Sequence, residues 1–297
     1  MSRQRLILNL RGGLGNQLFG MYAAIALEND FGIDCKIQTH TIDRSHKSGK
    51  SDATEFQYGR TLNLTARRDL SERVLNQKQI GKLEPINNLK LLLQSHYYER
   101  NNREEALVEL RELFAKSKTV ILDGYFQDFS YFDKVRESLP VFKLDQTSSW
   151  LKSQREQAIT LQPIMIHIRL GDYRQNGLQI LTKSYFNEAL LEMSRIVNTN
   201  DVWVFSDSPN EAKTFLDTPA SKRVTFFDND QKSTETLMLM REGGGLICSN
   251  STFSYWAGKT GCQTRPVIYP RRFSQMPEIQ VRSIPEEWIS YDNQPIL

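Results

Sequence analysis

The sequence has little cysteine. Cys35, Cys248 and Cys262 are the only three in 297 residues, and no two form a Cys-x-x-Cys pair. So sparse and odd a count argues against a disulfide framework and a thiolate zinc site, and it fits a reducing compartment. Long apolar runs are also missing. No stretch approaches the roughly 20 apolar residues of a membrane span. Gly12 and Gly13 interrupt the N-terminal segment before a signal-peptide core can form. Charge of one sign is scarce too, since 38 basic residues against 35 acidic ones leave +3. That excess is too small to argue for a nucleic-acid partner. The expectation is a cytoplasmic globular protein, long enough for one large or two medium domains with a sizeable core.

Two nucleotide signatures are absent as well. Gly12-Gly13-Leu14-Gly15 has neither the dinucleotide spacing nor a following Gly-Lys-Ser/Thr, which excludes a P-loop triphosphatase. What is present is a strand, Arg5 to Leu10, that runs through those glycines into an apolar helix from Leu18 to about Asn29. Strand, glycine loop and helix is a context in which backbone can approach an anion. The same glycines also suit a tight turn with close packing. Asn16 and Gln17 at the helix start read either as caps or as ligand contacts.

Residues 163–173 read Pro-Ile-Met-Ile-His-Ile-Arg-Leu-Gly-Asp-Tyr. The short β-branched run is a buried strand. If the strand continues, His167 and Arg169 share a face and Gly171-Asp172 turn away at the carboxyl edge, where open α/β sheets bind ligands. A guanidinium and an imidazole there suit a phosphate. Arg169 with Asp172 as a local ion pair and His167 as a core histidine is the other reading.

Strand and helix patterns alternate along the chain. Strands are expected at 32–37, 119–122, 201–205, 223–227, 246–248 and 265–269, and helices at 182–197, 210–216, 233–242 and 255–259. Residues 39–60 read as a polar surface loop and 61–118 as largely helical, with Leu107, Leu110, Leu113 and Phe114 on one face. Tyr125, Phe126, Phe129, Tyr131 and Phe132 suit either a cleft lining or the core. Gly243 to Gly245 read as a helix C-cap. The tail from Pro270 is expected to pack back on the body. The pattern predicts an α/β protein of two Rossmann-like halves, 1–150 and 151–297. In the second half, His167/Arg169/Asp172, Ser206/Asp207 and the run Ser249 to Ser254 all follow strands. That last run carries five hydroxyl or amide side chains at a helix start, more than one cap requires. With Arg169 it reads as a diphosphate site.

Five motifs occur in order: Gly-Gly-Leu-Gly-Asn-Gln-Leu-Phe (12–19), Gly-Tyr-Phe-Gln (124–127), His-Ile-Arg-Leu-Gly-Asp-Tyr (167–173), Val-Phe-Ser-Asp (204–207) and Ser-Asn-Ser-Thr-Phe-Ser-Tyr-Trp-Ala (249–257). In this the chain resembles the α-1,2-fucosyltransferases of glycosyltransferase family 11, bacterial type. The resemblance implies a GT-B-type fold, two Rossmann-like domains facing a cleft, with the N-terminal one on the acceptor side. It implies GDP-β-L-fucose as donor, a galactose 2-hydroxyl as acceptor, inversion, and neither metal nor cofactor. It implies that His167 contacts the nucleotide, Arg169 the β-phosphate, Asp207 the guanosine, and Ser251, Thr252 and Phe253 the diphosphate. Gly13 and Gly15 bring loop backbone to the donor, and Asn16 faces the reacting centre across the cleft. Asp172 is the candidate base by position; pairing with Arg169 or capping the turn explains it equally.

Two departures stand out. The family pattern of two adjacent arginines is here Arg169-Leu170, and its Ser-Trp-Trp is here Ser254-Tyr255-Trp256. The short N-terminus resembles cytoplasmic bacterial enzymes that build O-antigen or similar polysaccharide, whose acceptor is free or lipid-linked at the inner membrane face. Another GDP-sugar transferase, or a non-catalytic nucleotide- or glycan-binding module, would share the same phosphate site.

Overall fold

The computed structural model describes residues 5–10, 12–33, 35–38, 62–63, 74–75, 103–116, 119–137, 143–144, 147–175, 180–217, 220–228, 230–275 and 279–292. The chain divides into two compact units, Met1–Asp145 with Glu278–Ile284, and Gln146–Pro277 with Pro285–Leu297.

In the first unit the described elements are β1 (Arg5–Asn9), α1 (Leu14–Phe31), β2 (Cys35–Gln38), β3 (Leu62–Asn63), β4 (Val74–Leu75), α2 (Arg103–Lys116), β5 (Thr119–Asp123), α3 (Ser130–Val135) and β6 (Lys143–Leu144). A parallel sheet runs β4-β2-β1-β5, while β3 and β6 pair separately and antiparallel. From β1 the chain goes to β2 on one side and later to β5 on the other. The strand order therefore reverses at β1, and the crevice for a ligand lies at its carboxyl end.

Helix α1 is buried on nearly every side from Leu14 to Leu27, as expected of a helix apolar all round. It begins four residues earlier than the apolar pattern indicates, so Gly15, Asn16 and Gln17 lie in its first turn. It ends where Gly32 takes a left-handed φ of 63° and donates to the Glu28 carbonyl at 2.8 Å. That cap uses Gly32, so β2 starts at Cys35 rather than 32. Four of the five clustered aromatics are core: Phe126, Phe129, Tyr131 and Phe132 are buried, with Phe19–Phe129 and Tyr22–Phe132 centroids each 4.8 Å apart. Tyr125 is partly exposed. The loop expected at 39–60 lies outside the described residues, as does most of 61–102. On α2, Leu110 and Phe114 are buried, in line with the apolar face read there.

The second unit contains α4 (Ser149–Leu161), β7 (Ile164–Ile168), α5 (Gly171–Gln175), α6 (Lys183–Ile196), β8 (Asp201–Ser206), α7 (Pro209–Ala212), a 3-10 turn (Lys213–Phe215), β9 (Arg223–Phe227), α8 (Ser233–Met240), β10 (Gly245–Ile247), α9 (Thr252–Thr260), β11 (Val267–Pro270) and β12 (Ile289–Tyr291). All six strands are parallel, in the order β12-β11-β10-β7-β8-β9. Ile164, Ile166 and Ile168 of β7 pack with Leu190 and Met193 of α6 and Ile247 of β10. Thr182, rather than Ser184, caps α6, its hydroxyl accepting from Tyr185 N at 3.0 Å. The buried Glu235 carboxylate accepts from Ser148 N (2.8 Å) and Ser148 Oγ (2.7 Å), joining α8 to the capped start of α4.

One expectation changes here. Gly243 to Gly245 are not a helix cap. A Cβ at Gly243 would overlap the Met165 side chain and meet the Pro163 carbonyl at 2.7 Å, and one at Gly244 would meet the Gln162 carbonyl at 2.7 Å. These glycines let β10 enter the sheet close against the start of β7. The tail also supplies a strand, β12, and Glu278–Ile284 belong to the first unit.

Behind the sheet edge lie three buried groups that ionise only at alkaline pH. Tyr185 Oη donates to the Cys248 carbonyl at 2.8 Å. Burial pushes the Cys248 thiol up to about 12 and raises the Tyr185 and Tyr255 phenols. In the unfolded chain these groups release protons at their ordinary values, so unfolding releases protons at high pH and stability falls as pH rises past that of a free thiol. The thiol contributes about 1.4 kcal/mol for each pH unit. Buried Arg265, pushed down to about 10 by desolvation, acts in the opposite direction above that pH. Urea midpoints are expected to decline from pH 9 to 10, less steeply in Cys248→Ala; midpoints that stay flat in the wild type would contradict this.

Candidate active site

In the second unit the chain turns from the β7-β8-β9 side to the β10-β11-β12 side between β7 and β10. The residues that leave those two strands therefore meet at a topological switch point. His167 is the fourth residue of β7 and is buried. The strand stops at Ile168, so Arg169 sits just past its end, with its side chain 22% exposed. Leu170 is wholly buried in the core cluster, which explains why a leucine is accommodated where the family pattern has a second arginine.

Asp207 organises this edge. It follows β8, the neighbour of β7. Its Oδ1 accepts from Leu170 N at 2.9 Å and its Oδ2 from Gly171 N at 3.0 Å. Arg169 Nε lies 3.3 Å from Oδ2. One carboxylate thus holds the β7–α5 turn and the arginine that emerges from it. A Cβ on Gly171 would stand 3.0 Å from Ser208 Oγ and 3.2 Å from Asp207 Oδ2, so the turn is closely fitted to that loop. Asp172 lies in the first turn of α5; its side chain is outside what is described.

Tyr173 connects the turn to the other strand. Its hydroxyl donates to the Asn250 carbonyl at 2.7 Å, and the Arg169 guanidinium carbon is 6.0 Å from its ring centroid. Phe253, in the first turn of α9, lies 5.4 Å from the His167 ring. Ser251 is at the N-cap position, yet its side chain makes no capping bond. Ser254 Oγ instead donates back to the carbonyls of Ser249 (3.3 Å) and Ser251 (3.0 Å). The hydroxyl-rich run is therefore not there to cap α9 from Ser251. It shapes a helix start whose first N–H groups and dipole favour an anion. The structure brings His167, Arg169, Asp207 and Phe253 together, with Ser251 and Thr252 beside them in the chain.

In the first unit the glycines divide by role. Gly12 has φ 72°, and a Cβ there would meet Asn16 Nδ2 at 2.6 Å. Gly13 is the N-cap of α1, in extended conformation, and a Cβ on it would meet nothing within 4 Å. Backbone strain and packing thus require Gly12 and not Gly13. Gly15 is buried in the first turn of α1. Neither Asn16 nor Gln17 caps the helix. Gln17 Nε2 donates to the Gly12 carbonyl at 2.8 Å, and Asn16 Oδ1 accepts from Gln127 Nε2 at 2.9 Å.

The sequence model of glycosyl transferase family 11 matches residues 9–270, a span that includes both of these edges. The chain belongs to glycosyl transferase family 11. Among curated proteins none matches it in sequence. Its fold is similar to that of the fucosyltransferase NodZ from Bradyrhizobium, at 12% identity and a TM-score of 0.51, covering 88% of this chain and 94% of that one. A structure of NodZ α-1,6-fucosyltransferase co-crystallised with GDP gives 13% identity, a TM-score of 0.50 and coverage of 86% and 92%.

Within this family 11 glycosyltransferase, two functional candidates escape a reading of the sequence alone. Tyr173 and Gln127 both stand inside recognised motifs, but their partners are 77 and 111 residues away. Buried amides and a phenol after strands were the available signal. One Asp-x-Asp triplet occurs, Asp228-Asn229-Asp230, just beyond β9 at the sheet's outer edge, with Asn229 outside the described residues. Among the described residues no group of three His, Cys, Asp or Glu side chains is placed to hold a metal, and no helix is long and apolar enough to cross a membrane.

Proposed function

We propose that this glycosyltransferase moves L-fucose from GDP-β-L-fucose to the 2-hydroxyl of a galactose, with inversion and without a metal. The observation that carries the reading is Arg169, held by Asp207 at the switch point beside the hydroxyl-rich start of α9. Membership of family 11 and the ordered motifs support it.

The acceptor oxygen attacks fucose C1 from the face opposite the diphosphate. The C1–O bond breaks, GDP leaves, and the acceptor hydroxyl gives up its proton. Negative charge grows on the leaving β-phosphate as an oxocarbenium-like centre forms. Fixed donors aimed at that charge lower the barrier. Arg169 and the N–H groups of Ser251, Thr252 and Phe253 take this role. His167, its ring tilted against that of Phe253, contacts the nucleotide, and Asp207 receives the guanosine while holding the turn. Gly13 and Gly15 let backbone approach the donor, and Asn16 serves the sugar. Asp172 is the candidate base for the hydroxyl proton.

GDP release measured with GDP-fucose and a β-galactoside tests the reading. Release is expected only with both substrates and is expected to persist in excess chelator. Equal release from another GDP-sugar would point to a different donor, and tight GDP binding with no release to a binding module.

A further inference from the structure

A buried amide beside the first unit's site is not used by the chemistry above. Gln127 follows β5 at the carboxyl edge next to β1 and is 4% exposed. Its Nε2 donates to Asn16 Oδ1 at 2.9 Å. On the other side, Asn16 Nδ2 lies where a Cβ on Gly12 would sit, only 2.6 Å away. The Asn16 carboxamide is thus held between Gln127 and a glycine whose missing side chain leaves it room.

The backbone behind Gln127 is firmly held. Phe126 has φ 52° and its ring is buried. Such a conformation in a bulky residue persists only where the surroundings over-determine it. Here Arg282 N donates to the Gln127 carbonyl (2.8 Å), and Phe129 N donates to the Arg282 carbonyl (3.2 Å). Asp128 Oδ1 accepts from Ser283 Oγ (2.6 Å) and from Ser130 N (2.9 Å). Ser283 is itself left-handed, at φ 52°. Arg282 and Ser283 are thus clamped to the turn that carries Gln127.

We infer that Gln127 is a positioning residue: it fixes the Asn16 carboxamide in the orientation that serves the sugar, and Arg282 and Ser283 hold the turn that carries Gln127 in place. The role given to Asn16 rests on the proposed function.

The test is a double-mutant cycle on the full chain with Asn16→Ala, Gln127→Met and the pair. Small misplacements of a positioning group cost up to about 100-fold, so Gln127→Met is expected to lower kcat on the order of 10- to 100-fold, with GDP affinity unchanged. The double variant is expected to be no slower than Asn16→Ala, because the second change has nothing left to position. Gln127→Glu adds a pH readout. A protonated carboxyl can donate to Asn16 Oδ1 and an ionised one cannot, so its rate should fall with rising pH relative to Gln127→Met. Losses that multiply in the double variant, or identical pH profiles for Glu and Met, would overturn the inference. A second readout does not depend on activity: the side-chain amide nitrogen resonance of Asn16 should shift in Gln127→Met. An unshifted resonance overturns the positioning role. A shifted one in a protein that transfers no fucose supports that role and overturns the functional reading instead.

Discussion

Arg169→Ala is expected to lower kcat by about 10²–10³, the usual loss when one fixed donor to transition-state charge is removed. Folding should be retained, because the side chain is partly exposed at the end of β7 and is not part of the core cluster. Arg169→Lys keeps the charge but loses the planar fork. Its rate should fall between wild type and alanine. The loss should appear mainly in kcat if the arginine meets charge that develops as the sugar leaves, and mainly in KM if it only binds ground-state diphosphate. Steady-state kinetics with GDP-fucose separate the two. Near-wild-type turnover in a folded Arg169→Ala protein would remove the arginine from the mechanism.

Asp207→Ala is expected to cost at least as much, through a different route. Removing the carboxylate leaves Leu170 N and Gly171 N without their acceptor and Arg169 without its partner. Losing hydrogen bonds to a charged group destabilises by about 1.5–3 kcal/mol, so urea denaturation should show the change alongside a rate loss of roughly 10²-fold. Asp207→Asn distinguishes its two assigned roles. Its amide nitrogen meets a backbone N–H where an oxygen is required, so the turn loosens. If Asp207 also reads the base, the preference for GDP over inosine diphosphate, which lacks the 2-amino group, should shrink in this variant. If its work is confined to the turn, the preference should stay while kcat drops. A variant with wild-type kcat and wild-type stability would contradict the turn assignment itself.

Much of this was legible in the residues. The runs at 164–168 and 201–206 became parallel strands buried on both faces, and 223–227 the partly exposed edge strand beside them, because short β-branched and aromatic runs bounded by turns favour strands. The hydroxyl run before α9 and the arginine after β7 were visible as unusual strand ends. What could not be read was pairing at a distance. Asp207 is 38 residues from Arg169 in the chain, and only the adjacency of β7 and β8 brings them to one turn. Asp172 is three residues from Arg169 and so suggests itself first. Gly243 to Gly245 resembled a cap because glycine serves both left-handed caps and close backbone approach, and the neighbour that decides between these, Met165, lies in another strand. β12 is three residues of mixed polarity, too short for a period of two to show.

The central claim is tested most directly by the product. The purified chain, given GDP-fucose and a terminal β-galactoside in excess chelator, should release GDP and yield one fucosylated product. Proton and carbon NMR of that product should place an α-linked fucose on O2 of the galactose. Fucose on another hydroxyl, a β-linkage, or GDP-fucose left intact beside the acceptor would contradict the account.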